Sequence, residues 1–164
     1  MQHFEFDEKT GVIKDKLTGE RCVIITKARM LEIFSRLSDI FQSGAKVIIF
    51  EASKAAGERF VKETSEITKG DKELLLNTTV QRFTDAGLGK IEIVELNLEE
   101  AEVKFRIWNN FFAEIRNEES TYCNCVEGFV SGMYEQIMRK PPKVQKTKCV
   151  EKGDPYCEWH MTLK

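Results

Sequence analysis

Apolar and polar residues alternate at the start of the chain, and helical spacing follows. Phe4 and Phe6 alternate with polar residues, and Arg21–Ile25 forms an apolar-rich run after Gly19, so β structure is predicted at both places. Thr26 then precedes apolar residues at steps of about one helical turn, which lie on one face of a predicted helix: Met30, Phe34, Leu37 and Phe41.

The rest of the chain predicts three more helices and two hairpins. In order, these are helices at 45–67 and 71–87, a hairpin of 90–96 and 101–108, a helix at 120–138, and a hairpin of 144–151 and 156–163. Gly128 and Gly132 lie about one turn apart on the last helix, where another backbone can approach closely. The whole pattern predicts an α+β fold in which a mostly antiparallel sheet packs against helices.

Composition is that of a globular protein, and it narrows the classes of partner. The 164 residues suit a single domain over 1–164, with 41% apolar and 32% charged residues. The longest apolar run, Val47–Phe50, is far too short to span a membrane, and the amino terminus has no signal-peptide pattern. The formal charge of −2 gives no reason to expect nucleic acid. We therefore predict a cytoplasmic protein without a nucleic-acid or membrane partner.

The cysteines are the first specific chemical signal. The chain has five, of which Cys22 stands alone and is interpreted as a small core residue. The other four fall in the last 42 positions: Cys123, Cys125, Cys149 and Cys157. In a reducing compartment, clustered cysteines indicate metal or redox chemistry rather than disulfides.

The predicted final hairpin brings two of these cysteines together. If its turn centres on Gly153, Cys149 faces Cys157 across the strands, with Cβ atoms about 4.5–5.5 Å apart. Tetrahedral zinc, with Zn–S bonds of about 2.3 Å, accepts two thiolates placed in this way, and thiolates are ligands that zinc favours. Two alternatives remain: a Cys149–Cys157 disulfide, which the same geometry permits, and unrelated buried thiols.

Further ligands of this site are predicted less directly. The start of the last helix can deliver Cys123, but residues two apart on a helix do not share a face. Cys125 could therefore join the same ion only if the helix began irregularly. His160 is chemically a suitable ligand, yet it lies on the opposite strand face from Cys157.

The same residues carry a family resemblance. The run from Gly128 to Gly132, GFVSG, and the run from Lys148 to Trp159, KCVEKGDPYCEW, resemble the carboxy-terminal signature of 4-vinyl reductase domains. That signature is a Gly-x-x-x-Gly helix followed by a Cys-x-x-x-Gly-Asp-x-x-Cys hairpin. The resemblance implies the ligand-binding fold shared with haem-based nitric oxide sensors and vesicle-tethering subunits, and a role in sensing small molecules.

The resemblance also implies a zinc site of three cysteines and one glutamate. By position, the cysteines match Cys123, Cys149 and Cys157, but Lys146 stands where the glutamate is expected. A lysine ammonium has no lone pair to offer a metal. The fourth ligand is therefore predicted to be Cys125, with His160, water or an exogenous group as alternatives.

A sensor role needs a binding pocket and an output. Aromatic residues near the cysteines are predicted to line a pocket for a small hydrophobic or aromatic ligand, although such residues are also ordinary core residues: Trp108, Phe112, Tyr122, Phe129 and Tyr134. The chain has no dinucleotide loop, Walker loop or Ser/His/Asp set, so an enzyme is not predicted. Output through a homodimer or a separate signalling partner is expected. The alternatives are a thiol/zinc redox switch, a scaffold subunit and, less favoured, a hydrolytic or reductive enzyme.

Overall fold

The computed structural model describes residues 3–114 and 123–164. The strands are β1 (Phe4–Asp7), β2 (Val12–Asp15), β3 (Arg21–Cys22), β4 (Lys90–Asn97), β5 (Glu102–Trp108), β6 (Pro142–Lys148) and β7 (Cys157–Leu163). The helices are α1 (Lys27–Phe41), α2 (Gly44–Thr68), α3 (Lys72–Asp85), the short α4 (Phe111–Glu114) and α5 (Cys123–Met138). A 3-10 turn, Val150–Lys152, links β6 to β7.

Two antiparallel sheets form from these strands, which confirms the predicted α+β class. The smaller sheet has the order β1-β2-β3, and the larger has the order β4-β5-β7-β6. In the larger sheet, β7 lies between β5 and β6, and Trp159 on β7 is fully buried against Phe105 of β5. The helices that follow β3 and β5 cover this sheet because its alternating apolar residues need a partner layer.

One predicted strand is much shorter than expected. The run Arg21–Ile25 forms β structure only at its first two residues, which pair with β2. Val23 and Ile24 leave the sheet and are 81% and 73% exposed. Their β-branched side chains favour a strand, but propensity alone cannot hold a strand that has no neighbour to pair with.

Helices α2 and α5 cross with their backbones in close contact, as the glycine spacing predicted. Gly128 and Gly132 of α5 and Gly57 of α2 form this crossing. A Cβ atom at any of the three would overlap backbone atoms of the facing helix. It would meet Phe50 from Gly128, Lys54 from Gly132, and Phe129 from Gly57. Glycine is therefore required here by space rather than by backbone conformation.

Helix α1 lies at the surface and none of its residues is fully buried. Thr26 caps it by accepting a hydrogen bond from the Arg29 N–H (3.4 Å). Met30, Phe34 and Leu37 pack against the core, as the periodicity predicted. Phe41, the fourth residue of that face, is instead 48% exposed, because it is the last helical residue before a turn.

A buried ionic contact attaches the small sheet to the helices. Arg82 of α3 donates to the carboxylate of Asp15 on β2 (3.0 Å) and to the Thr64 hydroxyl of α2 (2.6 Å). The Glu63 carboxylate lies 3.5 Å from the same guanidinium. Among the residues described, no helix combines the length and apolar character needed to cross a membrane.

Candidate metal centre

Three buried thiols converge where α5 meets the final hairpin. Cys123 is the first residue of α5, Cys149 follows β6, and Cys157 begins β7. Their sulfur atoms all lie within 4.8 Å of one another, and the sulfurs of Cys123 and Cys157 are 4.0 Å apart. Four sulfurs around zinc at about 2.3 Å lie about 3.8 Å from each other. The three thiols therefore have the separations that a shared metal ion requires.

The hairpin sequence explains how two of these cysteines meet. Lys148 on β6 pairs with Glu158 on β7. Cys149 and Cys157 are the next residues toward the turn, which is where a turn centred on Gly153 predicts them. Gly153 adopts a positive φ of 92°, which a side chain would strain. The Asp154 carboxylate accepts a hydrogen bond from the Cys149 N–H (2.8 Å). Glycine and aspartate in the hairpin motif thus fix the backbone on which Cys149 sits.

Backbone and side-chain amides near the sulfurs favour their charged form. After the Cys123 thiol, the Val150 backbone and the Asn110 side chain lower the pKa of Cys157, and at Cys149 the Glu151 backbone opposes burial, which raises the pKa. Asn110 is 2% exposed, and its side-chain nitrogen has no hydrogen-bond partner among the described residues. Amide groups near a sulfur stabilise the thiolate, which is the form that binds metal.

The pKa values of the three thiols are shifted in different directions. A hydrogen bond from the Cys123 thiol is the main cause that lowers the pKa of Cys157 to about 6, against the opposing effect of burial. The same hydrogen bond, together with burial, raises the pKa of Cys123. Burial is the main cause that raises the pKa of Cys149. Cys157 is therefore the thiol that ionises first.

Lys146 brings a positive charge to the three sulfurs. Burial alone would lower the pKa of its ammonium, but the charges of Cys123, Glu127 and Cys149 outweigh burial, and the pKa is raised. The Lys146 nitrogen lies 3.7 Å from the Glu127 carboxylate and 5.6 Å from the centre of the Trp159 ring. Its sequence position showed that it could not be a ligand, but not that it would be a charge partner of the cysteines.

Cys125 lies away from this group, which corrects its predicted place as the fourth ligand. Its sulfur is 3.0 Å from the Ser53 hydroxyl on α2, and burial raises its pKa to about 11. Both cysteines lie on α5, and residues two apart on a helix point to different neighbours. His160 is also occupied elsewhere, because its ring nitrogen bonds the Glu102 carboxylate. All five cysteines are unbonded to each other.

The predicted pocket aromatics do not surround one shared space. Phe129 packs in the core between Phe60 and Phe83, with ring centres 5.5 and 5.7 Å away. Trp108 packs against Tyr156 at the end of β5, with the rings tilted by 57° and their centres 4.6 Å apart. Tyr122 lies outside the described residues. These positions leave Phe112 and Tyr134, which face two different hollows.

Two hollows in the structure, one small and one large, are both lined mainly by apolar side chains. Tyr134 lines a cavity of about 40 Å³ between α3, α5 and the larger sheet. Phe112 lines a groove of about 650 Å³ between α1 and the small sheet, together with Phe4, Ile13, Ile24 and Leu88. A cavity that holds benzene measures about 150 Å³, so the groove has room for an aromatic ring, whereas the cavity beside Tyr134 does not without rearrangement.

Asn110 joins the groove to the cysteines and was missed by sequence reasoning. Its side-chain oxygen accepts a hydrogen bond from the Phe112 N–H (3.1 Å), and its side chain is among the groups that lower the pKa of Cys157. The only signal in the sequence is an asparagine that precedes a short aromatic helix, which is typical of a helix cap.

The chain shares its fold with sensory and ligand-binding domains of known structure. The phenol-responsive sensory domain of the transcription activator PoxR, solved with phenol, has a TM-score of 0.80 at 16% identity, covering 99% of this chain and 85% of that one. An H-NOX protein from Shewanella oneidensis has a TM-score of 0.60 at 11% identity, covering 87% and 78%. A trafficking protein particle complex subunit 3 from Naegleria fowleri has a TM-score of 0.54 at 12% identity, covering 84% and 95%. The predicted fold resemblance is confirmed.

A vinyl-4-reductase family protein from Methanocaldococcus jannaschii has the same fold, with a TM-score of 0.58 at 19% identity over 86% of this chain and 83% of that one. The resemblance inferred from the carboxy-terminal motif is therefore confirmed at the level of the fold. An uncharacterised protein of the same organism is 26% identical over 122 residues. The match covers 74% of this chain and 66% of the relative, just under two thirds of its length. The sequence matches no family model.

Proposed function

We propose that the chain is a stand-alone small-molecule-binding domain of the 4-vinyl reductase type. A structural zinc ion bound by Cys123, Cys149 and Cys157 stabilises it in this proposal. The observation that carries the zinc site is that three buried sulfurs lie within 4.8 Å of one another. Thiolate ligands at these separations suit tetrahedral zinc, which would tie α5 to the hairpin. Residues 1–164 act as one domain in this proposal.

The ligand is proposed to bind in the groove that Phe112 lines, because of the size of that groove. The groove has about 650 Å³ and is mainly apolar, which suits a small hydrophobic or aromatic molecule. Asn110 contacts both Cys157 and the backbone of Phe112, so a ligand against Phe112 would act on the metal site through a single side chain. The relation in fold to a domain that responds to phenol supports phenol as the first probe.

Phenol binding to the full chain, measured by isothermal titration calorimetry, tests this location. Ile24 is 73% exposed on the groove wall, so Ile24→Glu is expected to keep the fold and to abolish detectable phenol binding. Leu74→Glu is the matched control, because Leu74 is 51% exposed on α3 outside the groove. Equal binding by both variants would place phenol elsewhere, and no binding by the wild type would remove phenol as a ligand.

A homodimer is proposed from a line of exposed apolar residues on α1 and the start of α2. Ile33, Ile40, Phe41, Val47 and Ile48 are each between 40% and 64% exposed. Several large exposed apolar residues on two consecutive helices favour an interface. Light scattering is expected to show a dimer for the wild type and a monomer for Ile40→Asp, with Leu74→Asp as the dimeric control. A monomeric wild type would contradict the dimer. Output would then require a separate signalling partner.

We propose a binding role rather than catalysis, in a reducing compartment such as the cytoplasm, because the cysteines must stay reduced to hold metal. A redox switch is the second candidate, favoured by the 4.0 Å separation of the Cys123 and Cys157 sulfurs. Hydrogen peroxide would take two electrons and two protons from these thiols, giving one disulfide and two waters. Peptide mapping after mild peroxide treatment tests it: a Cys123–Cys157 disulfide that thiol reductant reverses is expected, and unchanged thiols would exclude it.

A further inference from the structure

The groove that Phe112 lines borders a side pocket of about 220 Å³. Four residues line both spaces: Phe4, Cys22, Asp85 and Ala86. Ile13 in the groove and Asp15 in the side pocket are two positions apart on β2, so both spaces lie on the same face of the small sheet. A ligand with its body in the groove can therefore extend one end into the side pocket.

Asp85, the last residue of α3, brings a carboxylate to the boundary between the two spaces. One of its oxygens accepts a hydrogen bond from the Gln81 side-chain nitrogen (3.0 Å). The other oxygen is buried and has no hydrogen-bond partner in the part of the chain that the structure describes. A His3 ring nitrogen lies 3.2 Å from it, but His3 is 47% exposed, and ion pairs at the surface contribute little. A ligand can therefore displace His3 and donate to this oxygen.

The charges around the side pocket favour a cation. Its lining includes four carboxylates: Asp15, Glu20, Glu63 and Asp85. Arg82 contacts Asp15 and Glu63, and Arg59 at the surface pairs with Glu20 and Glu63. Among the described residues, these pairs leave Asp85 with His3 as its ionic contact. Asp85 also lies at the carboxyl end of α3, where the helix dipole is negative and attracts positive charge.

We propose that the groove and the side pocket bind an organic amine, with its apolar body in the groove and its ammonium group on the Asp85 carboxylate. The inference rests on the proposed small-molecule groove and names the chemical class of its ligand. Among the described residues that line the groove, Asp85 is the one with a charged side chain. An ammonium group has N–H donors and no acceptor, so it suits a carboxylate oxygen that lacks a hydrogen bond.

Calorimetric titration of the full chain with benzylamine, benzyl alcohol and benzoate tests the charge of the ligand. The three probes share an aromatic ring and carry a positive, zero and negative charge at pH 7. Benzylamine is expected to bind at least about tenfold more tightly than benzyl alcohol, and benzoate more weakly than either, because the ammonium makes a charge-assisted hydrogen bond. Equal or weaker binding of benzylamine relative to benzyl alcohol would overturn the amine, whereas binding of none of the probes would overturn the groove itself.

Asp85→Asn tests the residue, since it keeps the shape of the side chain and removes its charge. Its benzylamine affinity is expected to fall to within about twofold of its benzyl alcohol affinity, and its benzyl alcohol affinity to stay that of the wild type. Asp39→Asn is the matched control, because Asp39 is 66% exposed on α1 and lines neither space. A benzylamine preference that persists in Asp85→Asn, or benzylamine binding that Ile24→Glu leaves unchanged, would overturn the proposed site.

Discussion

The amino-terminal and carboxy-terminal regions of the molecule are packed in opposite ways. In β1–β3 and α1, Asp15 is the only residue classed as buried, and large apolar side chains such as Val23, Ile24 and Ile40 face outward. In α5 and β7, by contrast, most residues are buried, and the α2–α5 crossing is so close that only glycine fits at three positions. The cysteine group belongs to the second region.

The difference separates a rigid site from an adaptable surface. A metal site needs ligands that are held in place before the ion arrives, and the tightly packed region holds Cys123 and Cys157 at fixed positions. A small-molecule groove and a subunit interface gain from exposed apolar surface that a partner can cover, which the loosely packed region offers. Asn110 lies between the two regions and contacts both.

The largest expected effect concerns the α2–α5 crossing. Gly132→Ala places a methyl group against the Lys54 carbonyl, and neither helix can move away without opening the core. We expect the free energy of unfolding to fall by about 3 kcal/mol or more, measured by urea denaturation. Gly44→Ala is the matched control on α2, because a Cβ there meets nothing within 4 Å. It should be neutral or stabilise by up to about 1 kcal/mol. Similar losses in both variants would contradict the close crossing.

A smaller effect is expected where the buried ion pair attaches the small sheet to α2 and α3. Asp15→Asn leaves Arg82 with Glu63 as its ionic partner among the described residues, so we expect a loss of about 1–3 kcal/mol in the free energy of unfolding. The exposed pair of Arg36 and Asp39 provides the control, since Asp39→Asn should cost less than about 0.5 kcal/mol. Equal losses in the two variants would show that the Asp15 contact does not hold the small sheet to the helices.

The same contact predicts a pH dependence. Burial raises the pKa of Asp15, but hydrogen bonds from the Leu17 N–H and Arg82 outweigh burial and lower it below 3.8. Because the folded pKa is depressed, the stabilisation is present above the unfolded value and is lost as the pH falls through the folded value. The difference in stability between wild type and Asp15→Asn should therefore be constant above about pH 5 and shrink below about pH 4. A difference that persists at lower pH would contradict the cause.

The smallest expected effect is a difference in hydrogen-exchange rate between α1 and α5. Hydrogen exchange followed by mass spectrometry should show α1 amides exchanging at least about tenfold faster than those of α5, because α1 has no fully buried residue. Ile40→Asp should speed exchange in α1 further if a second copy covers it, and should leave α5 unchanged. Equal protection of α1 and α5 in the monomeric variant would show that the two regions form one cooperative unit.

The carboxy-terminal region was the more predictable of the two from sequence. The spacing around Gly153 predicted the meeting of Cys149 and Cys157, and the spacing of Gly128 and Gly132 predicted the close crossing. These patterns succeed because a two-stranded turn and a helix surface follow short-range geometric rules. The prediction that the strand continues through Val23 was wrong, because a strand needs a paired neighbour and β2 pairs only with Arg21 and Cys22.

The surroundings of the cysteines depended on contacts between distant segments, which periodicity does not reveal. Cys125 was predicted as a ligand from its nearness in sequence, but the structure turns it toward Ser53 of α2. Asn110 lies between β5 and α4, where its sequence signal is that of a helix cap rather than of a neighbour of the cysteines. The four predicted pocket aromatics that the structure describes lie at separate places, with Phe129 in the core, Trp108 beside Tyr156, and Phe112 and Tyr134 at two different hollows.

The central claim is that Cys123, Cys149 and Cys157 hold one metal ion. The most direct measurement is native mass spectrometry of the protein purified without chelator, with elemental analysis of the same samples. The account predicts about one zinc per chain for the wild type and for Cys125→Ser, and loss of zinc for Cys157→Ser. Metal-free wild type that remains metal-free after incubation with zinc, or equal zinc in Cys157→Ser, would contradict it.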